Sequence, residues 1–146
     1  LHGSSAASDV YKRQVLCLYT DTTRLVKELP TLRLLTREPV EIEKLAHRLA
    51  KVLQECLELC EVTVESTYSQ VGSGALPVDR LQSAALKIAR PDLRRPGKTL
   101  EKLAEAFRKL QIPVIGRISS DALWFDLRCL EDEKGFVENL QGLKVR

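Results

Sequence analysis

One change of period in the apolar residues constrains the fold of this chain more than any other feature. In EPVEIEKLAHRLAKVLQECLEL, residues 38–59, apolar residues recur at steps of three and four, which predicts an amphipathic helix. Its apolar stripe consists of Ile42, Leu45, Leu49, Val52, Leu53, Cys56 and Leu57. The next segment, CEVTVEST, switches to a period of two, with Val62 and Val64 on one side. This pattern predicts a half-buried strand directly after the helix.

The remaining patterns complete an α+β architecture. SAALKIA, residues 83–89, predicts a second strand, and TLEKLAEAFRKLQ, residues 99–111, predicts a second helix. VIGRI and LWFDLRCL predict two strands joined at SSDA, a short polar link suited to a hairpin. A last helix is expected over residues 131–143, and a short one over residues 15–29, stopped by Pro30. We therefore expect an antiparallel sheet of about four strands with helices on one face.

The chain divides into three predicted parts. Residues 1–14, LHGSSAASDVYKRQ, are small and polar without a helical or strand period, which indicates a non-native or disordered tail. Residues 15–36 are expected to form a connecting helix and linker, and residues 37–146 a small α+β domain.

Composition limits the classes of partner. The net charge of +3 is too small to indicate nucleic-acid binding by itself. The dense basic cluster ARPDLRRPGK, residues 89–98, fits either a solvated loop rich in proline or a contact with phosphate or RNA. No apolar run approaches the about 20 residues of a membrane span, so no membrane partner is expected. Four cysteines without a CxxC pair predict reduced thiols in a cytoplasmic protein and no metal site.

A glycine segment is the first candidate for ligand binding. In YSQVGSGALPVDRL, residues 68–81, Gly72 and Gly74 allow positive φ angles and close backbone approach. Ser69, Gln70 and Ser73 could donate or accept hydrogen bonds to a ligand there. A tight turn that binds nothing explains the same residues.

Two arginines within apolar strand patterns, Arg117 and Arg128, are the second candidate. The planar fork of arginine suits a carboxylate or a phosphate, so either side chain can serve as an anion clamp. A salt bridge to Asp126 or Glu131, or a place on the solvent face, is the structural alternative. No complete active site is visible in the sequence.

Three segments resemble a known family: LPTLRLLTREPVEI, SQVGSGALPVDRLQSAAL and IPVIGRISSDALWFDLRCLEDEKGFVENL. They are similar to the C-terminal part of bacterial selenocysteine synthase, the L-seryl-tRNA(Sec) selenium transferase family. The resemblance implies the small C-terminal domain of a fold-type I pyridoxal-phosphate enzyme. It also implies conversion of seryl-tRNA(Sec) to selenocysteinyl-tRNA(Sec) with selenophosphate, by a homo-oligomer in the cytoplasm.

The resemblance assigns substrate binding, and no catalytic residue, to this chain. The Schiff-base lysine of the family lies upstream of the matching segments, so we expect a fragment that is inactive alone. Arg128 resembles the arginine on a late strand that binds the substrate carboxylate in many fold-type I enzymes, and Arg117 is the second choice. Since that carboxylate is esterified in seryl-tRNA, Arg128 is expected to contact an ester oxygen, the tRNA terminus or only Asp126. The glycine segment would face the cleft between the small and large domains.

Two other interpretations remain open. The chain fits the small domain of a different fold-type I pyridoxal-phosphate lyase or transferase. It also fits a stand-alone module that binds RNA or a protein through the basic cluster.

Overall fold

The computed structural model describes residues 3–20, 25–26, 28–70 and 80–143, with the backbone alone at residues 3–7, 15, 18 and 70. The chain divides into two compact units, Leu1–Arg37 and Glu38–Arg146. The first contains helices α1 (Gly3–Leu18) and α2 (Pro30–Leu35). The second contains α3 (Pro39–Cys56), β1 (Glu61–Gln70), β2 (Arg80–Ala89), α4 (Gly97–Arg108), β3 (Arg117–Ser119), β4 (Ala122–Asp126) and α5 (Glu133–Leu140). No helix of these described residues is long and apolar enough to span a bilayer.

The sheet is antiparallel with the strand order β1-β2-β4-β3, as the α+β prediction requires. Alternate residues of its strands point into the core, among them Leu86, Ile88, Leu123 and Phe125. The apolar stripe of α3 and the buried face of α4 pack in the same core. Phe107 of α4 lies with its ring centroid 4.8 Å from that of Phe125. The predicted arrangement of helices over one face of an antiparallel sheet is therefore confirmed.

Amide side chains hold two connections in place. Gln54 of α3 donates to the carbonyl oxygen of Cys60 at 2.8 Å and accepts from the amide of Val62 at 3.0 Å. Asn139 of α5 exchanges two hydrogen bonds with the backbone of Ile112, at 2.8 and 3.1 Å. Each amide side chain thereby satisfies backbone groups at the end of a connection.

Helix α1 covers most of the segment predicted to be a tail. Residues 3–18 form a helix, although its described side chains are exposed and show no apolar stripe. A run of Ala, Ser, Lys, Arg and Gln without an internal Pro or Gly is compatible with a helix through backbone propensity alone. Of the helix predicted over residues 15–29, residues 15–18 belong to α1, and residues 25, 26 and 28 are helical as well. Pro30 is the first residue of α2. That residues 1–14 are an added segment stays a prediction.

The two late strands are shorter than predicted, and this changes the environment of both candidate arginines. Val114 donates its amide hydrogen to the carbonyl oxygen of Phe107 at 3.1 Å, so the chain is bound to the end of α4 before β3 begins. Ser120 and Asp121, with φ angles of 51° and 54°, form the predicted hairpin turn. After Asp126 the chain leaves the sheet, which places Arg128 beyond β4 and not within a strand.

Candidate functional site

Polar side chains from three strands meet at one end of the sheet. Asp126, the last residue of β4, accepts hydrogen bonds from two serine hydroxyls through its carboxylate oxygens. Oδ2 accepts from Ser69 near the end of β1, and Oδ1 accepts from Ser83 of β2 at 2.7 Å. Both serines are buried, whereas Asp126 is exposed. These residues, together with Arg128, are called the Asp126 cluster below.

Arg128 is the buried cation of this cluster, with 3% of its surface exposed. Its amide donates to Oδ1 of Asp126 at 3.0 Å, and Nη2 donates to the backbone oxygen of Gln82 in β2. The amide of Leu127 donates to Ala84 at 3.1 Å, which keeps the chain beside β2 after β4 has ended. Arg128 is therefore anchored by its backbone to Asp126 of β4 and by its side chain to Gln82 of β2.

The predicted glycine segment joins this end of the sheet. Gln70 and Arg80 are paired across β1 and β2, so the chain enters and leaves residues 71–79 beside the Asp126 cluster. Gly72, Ser73 and Gly74 lie outside the described residues, and Gln70 is described by its backbone alone. Of the hydroxyl and amide groups predicted to bind a ligand, Ser69 is the one whose contacts are established, and its hydroxyl is bonded to Asp126.

Arg117 does not join the cluster. It is exposed on β3, which corresponds to the solvent-face alternative, and it is paired in register with Trp124. Its guanidinium carbon lies 5.8 Å from the centroid of the Trp124 ring, while Nζ of Lys87 lies 5.6 Å from the same ring. The two candidate arginines thus have different environments, and only Arg128 lies with the predicted binding residues.

Sequence reasoning missed Asp126 and Ser83 as site residues. Asp126 was considered only as a partner in a salt bridge with Arg128, whereas its contact with Arg128 runs through the backbone amide. Ser83 was assigned to a strand without a role. The sequence offered only a partial signal: Ser83 begins the predicted second strand and Ser69 follows the predicted first one, whereas Asp126 lies inside the predicted strand LWFDLRCL.

The buried cysteine Cys60 is not an activated nucleophile. Cys56 is exposed at the end of α3, and Cys60 is buried in the loop before β1. Burial raises the pKa of the Cys60 thiol, and the nearby Arg90 opposes that effect. A thiol with a raised pKa is mostly protonated near neutral pH and reacts slowly.

The described lysines do not fit a Schiff base with pyridoxal phosphate. Such a lysine is held in an enclosed site that lowers its pKa. Lys87 is the one described lysine that is half-buried, and its ammonium lies 3.7 Å from the carboxylate of Glu65. Lys87 is therefore engaged in an ion pair at a half-exposed position and is not held in an enclosed site.

Comparisons with known proteins agree on one family. The family model of L-seryl-tRNA selenium transferase matches residues 10–131. The L-seryl-tRNA(Sec) selenium transferase of Klebsiella pneumoniae (strain 342) is 52% identical over 125 residues, and that of Yersinia pestis (strain Pestoides F) is 49% identical over 126 residues. Both alignments cover 86% of this chain and 27% of the relative. The family match begins at residue 10, within the segment predicted to be a tail.

Proposed function

This chain belongs to the L-seryl-tRNA selenium transferase family, and we propose on that premise that it is the C-terminal part of a selenium transferase. The longer protein converts L-seryl-tRNA(Sec) to selenocysteinyl-tRNA(Sec) with selenophosphate, as a cytoplasmic homo-oligomer. The observation that carries the proposal is the family match over residues 10–131. Because the chain spans 27% of the length of its relatives, the activity is proposed for the longer protein and not for this chain alone.

In this proposal the chain binds and orients the substrate. Arg128 donates hydrogen bonds to an ester oxygen of the seryl group or to the tRNA terminus, and the planar guanidinium fixes the angle of approach. Asp126 holds the backbone of Arg128 in place from one side, and the carbonyl of Gln82 holds its guanidinium from the other. Ser69, Gln70 and the Gly72–Ser73–Gly74 segment supply the remaining polar contacts.

The chemistry at the serine hydroxyl is assigned to the part of the protein outside this chain. Pyridoxal phosphate, when bound, supplies an electron sink for the elimination of that hydroxyl. The described lysines do not fit its Schiff base, so no residue of this chain is given a step in that reaction. The chain contributes substrate contacts beside the cofactor.

A chimera tests the proposal. The matched residues of the Klebsiella pneumoniae relative are replaced by the aligned residues of this chain, and the product is supplied with L-seryl-tRNA(Sec) and selenophosphate. We expect the chimera to form selenocysteinyl-tRNA(Sec) and the isolated 146-residue chain to form none. A chimera that folds and assembles but forms no product would contradict the proposal, and so would turnover by the isolated chain.

The same chimera tests the choice between the two arginines. Arg128→Lys keeps the charge but loses the fork, so we expect the KM for seryl-tRNA to rise by about tenfold. Arg117→Lys is the matched control, and we expect a change of less than about twofold because Arg117 lies on the open face beside Trp124. Equal effects of the two substitutions would remove Arg128 from the substrate site.

A further inference from the structure

A group of exposed cations surrounds the beginning of α4. Arg94 and Arg95 precede the helix, while Lys98 and Lys102 lie one turn apart on its first two turns. These four residues are called the basic patch below. Within the part of the chain that the structure describes, none of the four forms an ion pair. By contrast, Lys109 at the other end of α4 forms an ion pair, with its Nζ 2.6 Å from Oε1 of Glu105.

The nearest acidic residue upstream of the patch does not neutralise it. Asp92 accepts two hydrogen bonds from Arg90, from Nε and Nη2, each at 2.8 Å. The Arg90 bonds lower the pKa of the Asp92 carboxyl, which stays ionised and occupied by that one arginine. Glu101 is the one acidic residue between positions 94 and 102, so the patch keeps a net positive charge.

The start of α4 adds to the positive potential. No side chain caps the helix at Pro96, and no acidic residue lies in its first turn. Free amide groups at a helix start attract anions, which adds to the charge of the nearby cations. A Cβ built on Gly97 would meet no atom within 4 Å, so the backbone at the first helical residue is open to approach.

We propose that the basic patch binds the phosphate backbone of RNA. Exposed cations spaced along a loop and a helix can each neutralise one phosphate of a polyanion, independent of base sequence. A membrane surface is the less suitable partner, because a helix that lies on a bilayer must insert apolar side chains. The apolar residues of α4, among them Leu100, Leu103 and Phe107, are buried in the core instead.

This inference deepens the proposed function. It rests on that function for the identity of the RNA, which is the tRNA part of the substrate. The patch lies in the loop before α4 and on its first two turns, whereas the Asp126 cluster is formed by β1, β2 and the chain at and after the end of β4. It therefore contributes binding contacts of its own, distinct from those to the seryl group. The contribution is electrostatic and must weaken as salt rises.

The inference is tested by the binding of a fluorescein-labelled tRNA(Sec) transcript to the full 146-residue chain, followed by fluorescence anisotropy. If each of the four cations contacts one phosphate, log K should fall with log salt with a slope of about −3. Arg94→Glu combined with Arg95→Glu should weaken binding by about tenfold or more and lower that slope by about half. The matched control is Lys44→Glu with Lys51→Glu, two exposed lysines of α3, which changes the net charge equally. We expect this control to alter binding by less than about twofold.

Arg94→Lys combined with Arg95→Lys separates charge from local structure, and it should keep most of the affinity because lysine also binds phosphate as a point charge. The inference would be overturned if the two Glu double variants weakened tRNA binding equally while their circular dichroism stayed unchanged. It would also be overturned if the unaltered chain did not bind the tRNA at about 50 mM salt. Tighter, patch-dependent binding to phosphatidylserine vesicles would assign the patch to a membrane and overturn it too. An inactive chimera with patch-dependent tRNA binding would reject the transferase proposal alone, whereas an active chimera without such binding would reject the patch alone.

Discussion

The hydroxyl of Ser83 donates a hydrogen bond of 2.7 Å to Oδ1 of Asp126, and this bond joins β2 to the last residue of β4. The same oxygen accepts the amide hydrogen of Arg128 at 3.0 Å, while Oδ2 accepts from Ser69. One carboxylate therefore connects three strands and directs the chain as it leaves the sheet. The position of Arg128, and with it the proposed substrate contact, depends on Asp126.

Asp126→Asn should destabilise the fold by about 1 kcal/mol, because the amide has one acceptor oxygen in place of two and cannot accept all three hydrogen bonds. The measurement is the free energy of unfolding in urea. Asp121→Asn, at the exposed hairpin turn, is the matched control and should change stability by less than about 0.5 kcal/mol, since Asn tolerates its positive φ angle. If both variants unfold at the same urea concentration, Asp126 does not organise this end of the sheet.

Arg128→Ala should cost about 2 to 3 kcal/mol, because a buried guanidinium and its charge-assisted hydrogen bond to Gln82 are lost together. Arg117→Ala should cost less than about 1 kcal/mol, the usual size of an exposed cation–π contact such as the one with Trp124. Thermal and urea unfolding of the two variants, side by side, check the difference. A larger loss for Arg117 would reverse the assignment of the two side chains.

Gly116→Ala should destabilise the fold by about 2 kcal/mol, since a Cβ there would lie 2.7 Å from both the backbone oxygen of Trp124 and a ring carbon of Phe125. Gly97→Ala offers the matched control at the start of α4, where no atom lies within 4 Å of the new methyl group. This control should be unchanged or up to about 1 kcal/mol more stable, because alanine restricts the unfolded chain. Equal unfolding midpoints for the two variants would show that the chain at Gly116 moves away from β4 at little cost.

Glu133→Gln should lower the melting temperature at pH 7 but not at about pH 3. Arg48 donates to both carboxylate oxygens of Glu133, at 2.7 and 2.8 Å, and these bonds lower the pKa of the Glu133 carboxyl. A lowered folded-state pKa contributes stability above the unfolded value of about 4.3, and this contribution is lost as pH falls through the folded value.

The control for Glu133→Gln is Glu138→Gln. It removes a looser ion pair, in which Oε1 of Glu138 lies 3.8 Å from Nζ of Lys134. Its melting temperature should follow that of the unaltered chain at both pH values, because exposed pairs of this kind contribute little. If Glu133→Gln and the unaltered chain still differ equally in melting temperature at about pH 3, the ion pair with Arg48 is not the cause of that difference.

The regular elements were predictable where one local period decided the outcome. The stripe from Ile42 to Leu53 predicted α3, and the alternation at Val62 and Val64 predicted β1, because burial of one face selects the period that presents apolar residues to that face. The segment resemblance to selenocysteine synthase also predicted the family that the matches establish. The same local reasoning failed for Cys56, which continues the stripe but is exposed where α3 ends.

The candidate site was predictable only in part. Arg128 stood out as a cation among apolar residues, and its burial agrees with that reasoning. Arg117 stood out for the same reason, yet it lies on the open face of a short strand beside Trp124. Apolar residues on both sides of an arginine do not reveal how many residues of that segment pair with a neighbouring strand, since the length of the pairing depends on the partner strand.

By itself the sequence determined the order of helices and strands in the second unit, the faces they bury and the family to which the chain belongs. Only the tertiary structure decided that Ser69, Ser83 and Asp126 meet, because their contacts join residues far apart in the chain through the register of β1, β2 and β4. It also decided that Arg128 leaves the strand and binds Gln82, whereas Arg117 stays at the surface. Periodicity reports which side of an element is buried, but contacts between strands depend on which strands are neighbours and how they align.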